Sequence, residues 1–451
     1  MSAIISGQGL GLFNNTLTQS GQNNSAILGQ ASQGIFVNAA TGNLVLQNED
    51  ESLKGLGQSL GIVRTYNSQG AFDGDNNDNW RFGFISSWKL VSGRKNNSGS
   101  VVELTRGDGF AQKFTYDSAK RAYVSKQGDD AYDIFTINSN GTATLKTDGN
   151  KGVVQSFNSS KTLTSVRDKH GYGITISFES YGSNNSDKRV ASITTKNSAG
   201  TETTRFKYHT TNEKVDGGGS GQPIEGPGGP IDITPPDLGG PIGTFNAPLM
   251  TASISSFSTT LTPVQRTDLS PMPSLPSSKK ETNLVKTVQT TFKDTNGKLV
   301  NQTKLHYKYD DEERLLEVTV DLTPEDNSIA DNKIFTTRYT YKGTTNLVET
   351  VTQSDQTSMR FYYDYKKRVT KTQDGEGNVT EYKYDSASVT RVIAAGQQTK
   401  YVFDSKERVS SVERVVDNQL IKTSYTYDGT DSSHIKTQTN SLGESLSLIH
   451  I

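Results

Sequence analysis

The stretch FYYDYKKRVTKTQDGEGNVTEYKYD, residues 361–385, decides the fold. It begins and ends on the same device, two aromatic residues at i and i+2 followed by an aspartate. Phe361 and Tyr363 precede Asp364, and Tyr382 and Tyr384 precede Asp385. Side chains at i and i+2 lie on one face of a β-strand, so each pair reads as the buried side of a strand that stops at Asp. The aspartate carboxylate can accept backbone N–H groups from the residues after it, which starts a turn. Arg368-Val369 then opens the return strand, with the aliphatic side chain inward.

The device recurs in HYKYD (306–310), YVFD (401–404) and SYTYD (424–428), and RYTY (338–341) is a variant with Lys342 in the Asp position. The second aromatics Tyr341, Tyr363, Tyr384, Phe403 and Tyr427 stand 22, 21, 19 and 24 residues apart. A period of about twenty residues describes one hairpin of two strands and two turns, stacked so that neighbours share a core. The residues expected to carry this repeat are Tyr309, Asp310, Tyr341, Tyr363, Asp364, Tyr384, Asp385, Phe403, Asp404, Tyr427 and Asp428, with Arg314-Leu315 and Arg408-Val409 opening other return strands. The aromatic pairs are expected to stack on those of adjacent units. KFTYDSAKRAYV (113–124) adds Tyr116 and Asp117, QSFNSSKTLTSV (155–166) is a weaker copy, and TTFKDTNGKLV (290–300) is a further unit.

Composition agrees with an all-β chain. The hydrophobic fraction of the 451 residues is 31%, below the globular norm of about 45–50%. Thr, Tyr, Gly and Asn, which suit pleated surfaces and tight turns, are abundant. A net charge of −1 argues against a nucleic-acid partner. Cysteine is absent, which removes disulfides and thiolate metal sites. The N-terminus lacks the basic and apolar regions of a standard signal peptide. No apolar run reaches the ~18 residues of a membrane-spanning helix.

Residues 1–33, rich in Gly, Gln, Asn and Ser, read as a flexible leader. Residues 34–213 read as a β-rich opening region with degenerate repeats, in which Trp80 and Trp88 plug a core at one end of the sheet. Residues 214–281, crowded with Gly, Pro and Ser, form a linker or an insertion loop that interrupts one array. Residues 282–445 carry the main repeat array.

VNAATGNLVLQNED (37–50), RTYNSQG (64–70), DNWRFGF (78–84) and LTRGDGF (104–110), followed by the repeats, resemble the bacterial Rhs/YD-repeat family over about residues 34–213 and 287–445. The resemblance implies a β-strip that spirals into part of a hollow shell. It implies a non-catalytic section of a large protein, secreted or displayed at the cell surface without a standard signal peptide. Its partner would be the protein's own C-terminal toxin, with export machinery or cell-surface glycans as further partners. No core segment that caps the shell and no effector domain is found in this sequence. The alternative is a surface adhesin that presents loops to carbohydrate or to another cell. The last residues, LSLIHI (446–451), break the pattern, and one back-translation, CTG TCT CTT ATA CAC ATC, matches a sequencing adaptor. They are expected to be artefact, with the array continuing in a longer protein.

No catalytic set is expected. His170, His209, His306 and His434 are scattered and read as turn or surface residues. The sequence holds neither a Gly-x-Ser-x-Gly elbow nor a phosphate-binding P-loop. DGDNNDNW (73–80) has the alternating acids of a calcium loop, but Asp78 stands where such a loop needs Gly, and Phe84 where it needs Glu. Neither a metal nor a cofactor is expected. The recurring aspartates read as turn residues, because a catalytic constellation is needed only once.

Overall fold

The computed structural model describes residues 2–13, 27–53, 60–70, 78–125, 127, 133–147, 152–182, 187–197, 199–210, 281–326, 328–429 and 432–447. Most of the Gly/Pro segment, residues 14–26 of the leader, Asp73–Asn77 of the calcium-like stretch and residues 448–451 lie outside them.

The described chain is all β and forms two sheets. The smaller has six strands: β1 (Ala3–Ile5), β2 (Ile27–Leu28), β3 (Gln33–Asn38), β4 (Leu44–Leu53), β5 (Leu60–Asn67) and β6 (Trp80–Phe82). Its main path runs β1-β3-β4-β5-β6, with β2 also on β3. The larger is a strip of 25 strands, from β7 (Ser87–Ser92) to β31 (Ser445–Ser447), each paired antiparallel to the next in sequence. It is not closed into a barrel: among the described residues β31 pairs only β30 (Ile435–Thr439). An isolated bridge from Ser87 to Thr162, beside β14 (Leu163–Arg167), folds the first strands back on themselves.

The strip continues across the Gly/Pro segment. β17 (Gly200–Thr210) pairs β18 (Glu281–Asp294) from Gly200↔Asp294 to Thr210↔Glu281. The region 34–213 does not form one unit, because the chain passes from the small sheet to the strip at residues 83–86. The leader expectation is corrected where it is described. Ala3–Ile5 adds to β3 as a parallel strand, and Ala3, Ile5 and Phe13 are buried. Its short apolar run gains an edge to pair with, which a disordered segment lacks. The two tryptophans also part company. Trp80 lies in the small sheet and Trp88 in the strip.

The small sheet packs against the aromatic face of the strip in one continuous core. Phe82 meets Phe206 and Tyr307 in edge contacts. Further along, Thr390, in β26 (Val389–Ala394), donates to the Ala39 carbonyl. β17 to β26 would span about 43 Å if flat, whereas the five in-line strands of the small sheet span about 19 Å. The contacts with the small sheet thus run over ten strands of the strip, from β17 to β26.

Candidate functional site

The repeat turns end the strands of the packed face, and their geometry is periodic. Asp364 Oδ1 accepts the N–H groups of Lys366 and Arg368, and Oδ2 accepts Arg368 Nε at 2.8 Å. Asp404 repeats this with Lys406 and Arg408, and Asp310 with Glu312 and Arg314. The residue before each arginine takes a left-handed φ: 63° at Glu313, 61° at Lys367 and 60° at Glu407. Asp117 accepts N–H groups from Ala119 and Lys120, a shorter version of the turn. Asp385 departs, because its turn is tighter and its carboxylate instead grips Arg391 at 2.7 Å. Asp428 donates its backbone N–H to the His434 carbonyl.

Successive units are tied by hydroxyls and guanidinium groups. Tyr341 donates to the Leu315 carbonyl, Tyr363 to Val348, Tyr384 to Val369 and Tyr427 to Val409, at 2.6–2.8 Å. Arg314 lies over the Tyr341 ring, Arg368 over Tyr384 and Arg408 over Tyr427, at 4.8, 4.1 and 4.3 Å from the ring centres. Asp310, Asp364 and Asp404 therefore each position an Arg that covers the aromatic of a following unit. The expected stacking between aromatic pairs is not found: among the described residues, no ring contact joins these second aromatics to one another. Two repeats are separated by a whole return strand, about 9.6 Å, beyond the 4.5–7 Å of a ring contact. Tyr116 instead meets Tyr123 on the adjacent strand, and Tyr309 meets His209.

The face so formed holds the small sheet through a buried polar network. Arg64 gives Nε and Nη2 to the two Asp50 oxygens, both at 3.0 Å, and Nη1 to the Tyr339 hydroxyl. Tyr307 donates to Asp50, and Tyr339 donates to Gln33 Oε1. Burial opposes the charge of Arg64, but Asp50 and the tyrosine oxygens outweigh it and hold its pKa well above the ordinary value. Burial raises the Tyr307 and Tyr339 phenols. Around this centre, Trp80 Nε1 donates to Tyr341. Tyr66 donates to the Asn346 carbonyl and accepts the Val348 N–H. The first aliphatic of a return strand is a repeated docking point, since Leu315 N–H goes to Asp78 and Val369 N–H to the Gly42 carbonyl.

The N-terminal residues cross this assembly. Ser2 meets the Tyr382 hydroxyl at 2.7 Å, and burial pushes that phenol up to about 12. Leu12 and Phe13 donate N–H groups to Asp108, and Phe13 stacks on Phe110 under Arg106. Burial raises the Asp108 carboxyl, against the lowering effect of these N–H groups.

Of the histidines, His170 and His434 occupy turns. His209 and His306 lie in strands, correcting the turn reading; their alternation with buried Tyr and Leu places them there. Asp78, taken from the calcium-like stretch, is a buried acceptor for Trp80 and Leu315 N–H groups. Among the described residues, no group of three His, Asp or Glu could hold a metal. No helix of the described residues is long and apolar enough to cross a membrane. Sequence reasoning missed the Asp–Arg pairing, although the i, i+4 spacing signals it. It also missed Asp50 and Arg64, which no local pattern marks.

A family described as a domain of unknown function (DUF6531) matches residues 34–114, which take in β3 to β6 of the small sheet and the first strands of the strip. No curated protein matches. Among solved structures, the chain is similar to a TcdB2-TccC3-Cdc42 crystal structure, with 10% identity, a TM-score of 0.27, and 89% of this chain and 22% of that chain covered. It is also similar to TcdB2-TccC3 without its hypervariable C-terminal region, with 11% identity, a TM-score of 0.27, and 88% and 20% covered. A third is the Photorhabdus luminescens Tc holotoxin pore, with 12% identity, a TM-score of 0.26, and 91% and 20% covered. The chain spans about a fifth of the length of these chains.

Proposed function

We propose that this chain is a non-catalytic section of the shell of a large exported bacterial Rhs/YD-repeat protein that encloses and delivers a C-terminal toxin. The observation that carries the reading is the 25-strand strip packed on a folded sheet, with tyrosine hydroxyls and backbone N–H groups of its return strands directed at that sheet. Such a face suits enclosure. Tyr offers a ring for packing and a hydroxyl for polar cargo or water. The wall is one uninterrupted ladder, so opening it requires consecutive backbone pairs to separate. The small sheet, on this reading, seals one end of the enclosed space.

The test uses the full-length protein. Its C-terminal domain should survive limited proteolysis while the strip is intact, and be cut at the rate of the free domain once the strip is unfolded. Equal cutting rates before and after unfolding would reject enclosure. A reading frame that runs from the repeats into a surface anchor would favour an adhesin.

A further inference from the structure

We propose that Arg81 is a binding site for a carboxylate supplied by a ligand or a partner. Arg81 is the middle residue of β6, the edge strand of the small sheet, and it is only 9% exposed. Its Nε and Nη2 atoms are both buried, and among the described residues neither has a hydrogen-bond partner. These two N–H groups form one edge of the guanidinium. Elsewhere in this protein that edge grips carboxylates: Arg64 holds both Asp50 oxygens with Nε and Nη2, and Arg391 holds both Asp385 oxygens in the same way. Arg106, which is buried like Arg64, uses the edge on Gln112 and Asp133. At Arg81 the same edge meets no acceptor among the described residues.

A buried guanidinium cannot shed its charge by losing a proton, so its neutralisation has to come from an anion. Water could satisfy the two N–H groups but not the charge. Two parallel N–H bonds match the two oxygens of a planar carboxylate. The positions directly across the sheet are polar and uncharged, and the acid on this face, Glu49, stands further along, opposite Val63. Arg81 pairs directly with Thr65, which pairs with Gln47, so the three share one face of the sheet. That face is opposite to the one carrying Arg64 and Phe82, which meet Tyr339 and Tyr307. Thr65 accepts from Gln47 Nε2, which leaves its own O–H available as a donor beside the fork. The site is therefore distinct from the Asp50 network and stands whether or not the chain belongs to a shell.

The carboxylate could be a small free acid or the side chain of an Asp or Glu on another protein. Thermal unfolding of the full chain distinguishes them, with sodium acetate and an end-blocked Gly-Glu-Gly peptide titrated against sodium chloride at constant ionic strength. Saturable stabilisation of the wild type by both probes assigns a free-acid site. A response to the peptide alone assigns a protein side chain. In either case Arg81→Met should abolish the response, and Arg81→Lys, which keeps the charge and loses the fork, should weaken it at least tenfold. Circular dichroism confirms that each variant is folded, and Arg81→Lys decides alone where Arg81→Met is not. The proposal fails if wild type and variants respond alike, if neither probe stabilises the wild type, or if phosphate binds as tightly as acetate.

Discussion

At Arg64 a fully buried guanidinium is bonded to Asp50 and Tyr339, while Tyr307 completes the Asp50 carboxylate. The energetics of such a pair are asymmetric. The intact pair roughly offsets its own desolvation, whereas removing one partner strands a buried charge and costs about 3–5 kcal/mol. Arg64→Met and Asp50→Asn should each destabilise the full chain by that order in urea unfolding. The double variant should lose clearly less than the sum of the two. Asp364 behaves differently because it is near the surface. Burial tends to raise its carboxyl, but the N–H groups of Arg368 and Lys366 and the Arg368 guanidinium outweigh this and lower its pKa. A depressed folded pKa means that the stabilisation is complete above the ordinary carboxyl value of about 3.9 and is lost as pH falls through the lowered one. Asp364→Asn should therefore cost about 1 kcal/mol at pH 7. The gap between variant and wild type should close below about pH 3. A gap that stayed constant with pH would exclude the carboxylate as its source.

The hairpins from Tyr341 to Tyr427 repeat one hydrogen bond, from a tyrosine hydroxyl to the first aliphatic carbonyl of an earlier return strand. Phe403 is the exception. By the register of its neighbours, whose hydroxyls reach Val369 and Val409, a hydroxyl on Phe403 would reach the Val389 carbonyl. Phe403→Tyr should raise stability by up to about 1 kcal/mol, and Tyr384→Phe should lower it by a similar amount. A loss of stability in Phe403→Tyr would show that the buried ring has no room for the extra oxygen. This scale is also where the sequence is most legible. The i, i+2 aromatics, the Asp turn and the inward Leu315, Val369 and Val409 can all be read from a single period, because they depend on neighbours a few residues away. The partners of those groups cannot. Tyr307 meets an acid 257 positions earlier, and the Leu315 N–H meets Asp78, 237 positions earlier. Similarly, β1 pairs with residues more than thirty positions away, so a run as short as Ala3–Ile5 gives no local sign of a strand. Trp80 and Trp88 are close in sequence but lie in different sheets, since the chain crosses between them.

Over the whole molecule, two kinds of support overlap unevenly. Every strand of the strip has its nearest neighbours, as in any repeat array, where stability is close to a sum of unit and interface contributions. Strands β17 to β26 have in addition the buried contacts with the small sheet, from Phe206 to Thr390. The N-terminal residues tie this central part at Tyr382 and the beginning of the strip at Asp108. Among the described residues, no hydrogen bond joins the strands further along to the small sheet. In β31 all three residues are exposed, and Tyr425 in β29 (Gln419–Tyr427) is buried only to 9% exposure, against 1–2% for Tyr307, Tyr339 and Tyr382. Amide exchange follows the free energy of local opening, so it should form a gradient instead of one cooperative value. The slowest amides should lie in the strands that face the small sheet, and the fastest in β29 to β31. Arg64→Met should accelerate exchange in the central strands and leave β29 to β31 unchanged, because the lost contact is shared by the former and not by the latter. Uniform acceleration along the strip would mean that it unfolds as one unit, and that the contained sheet stabilises the entire wall.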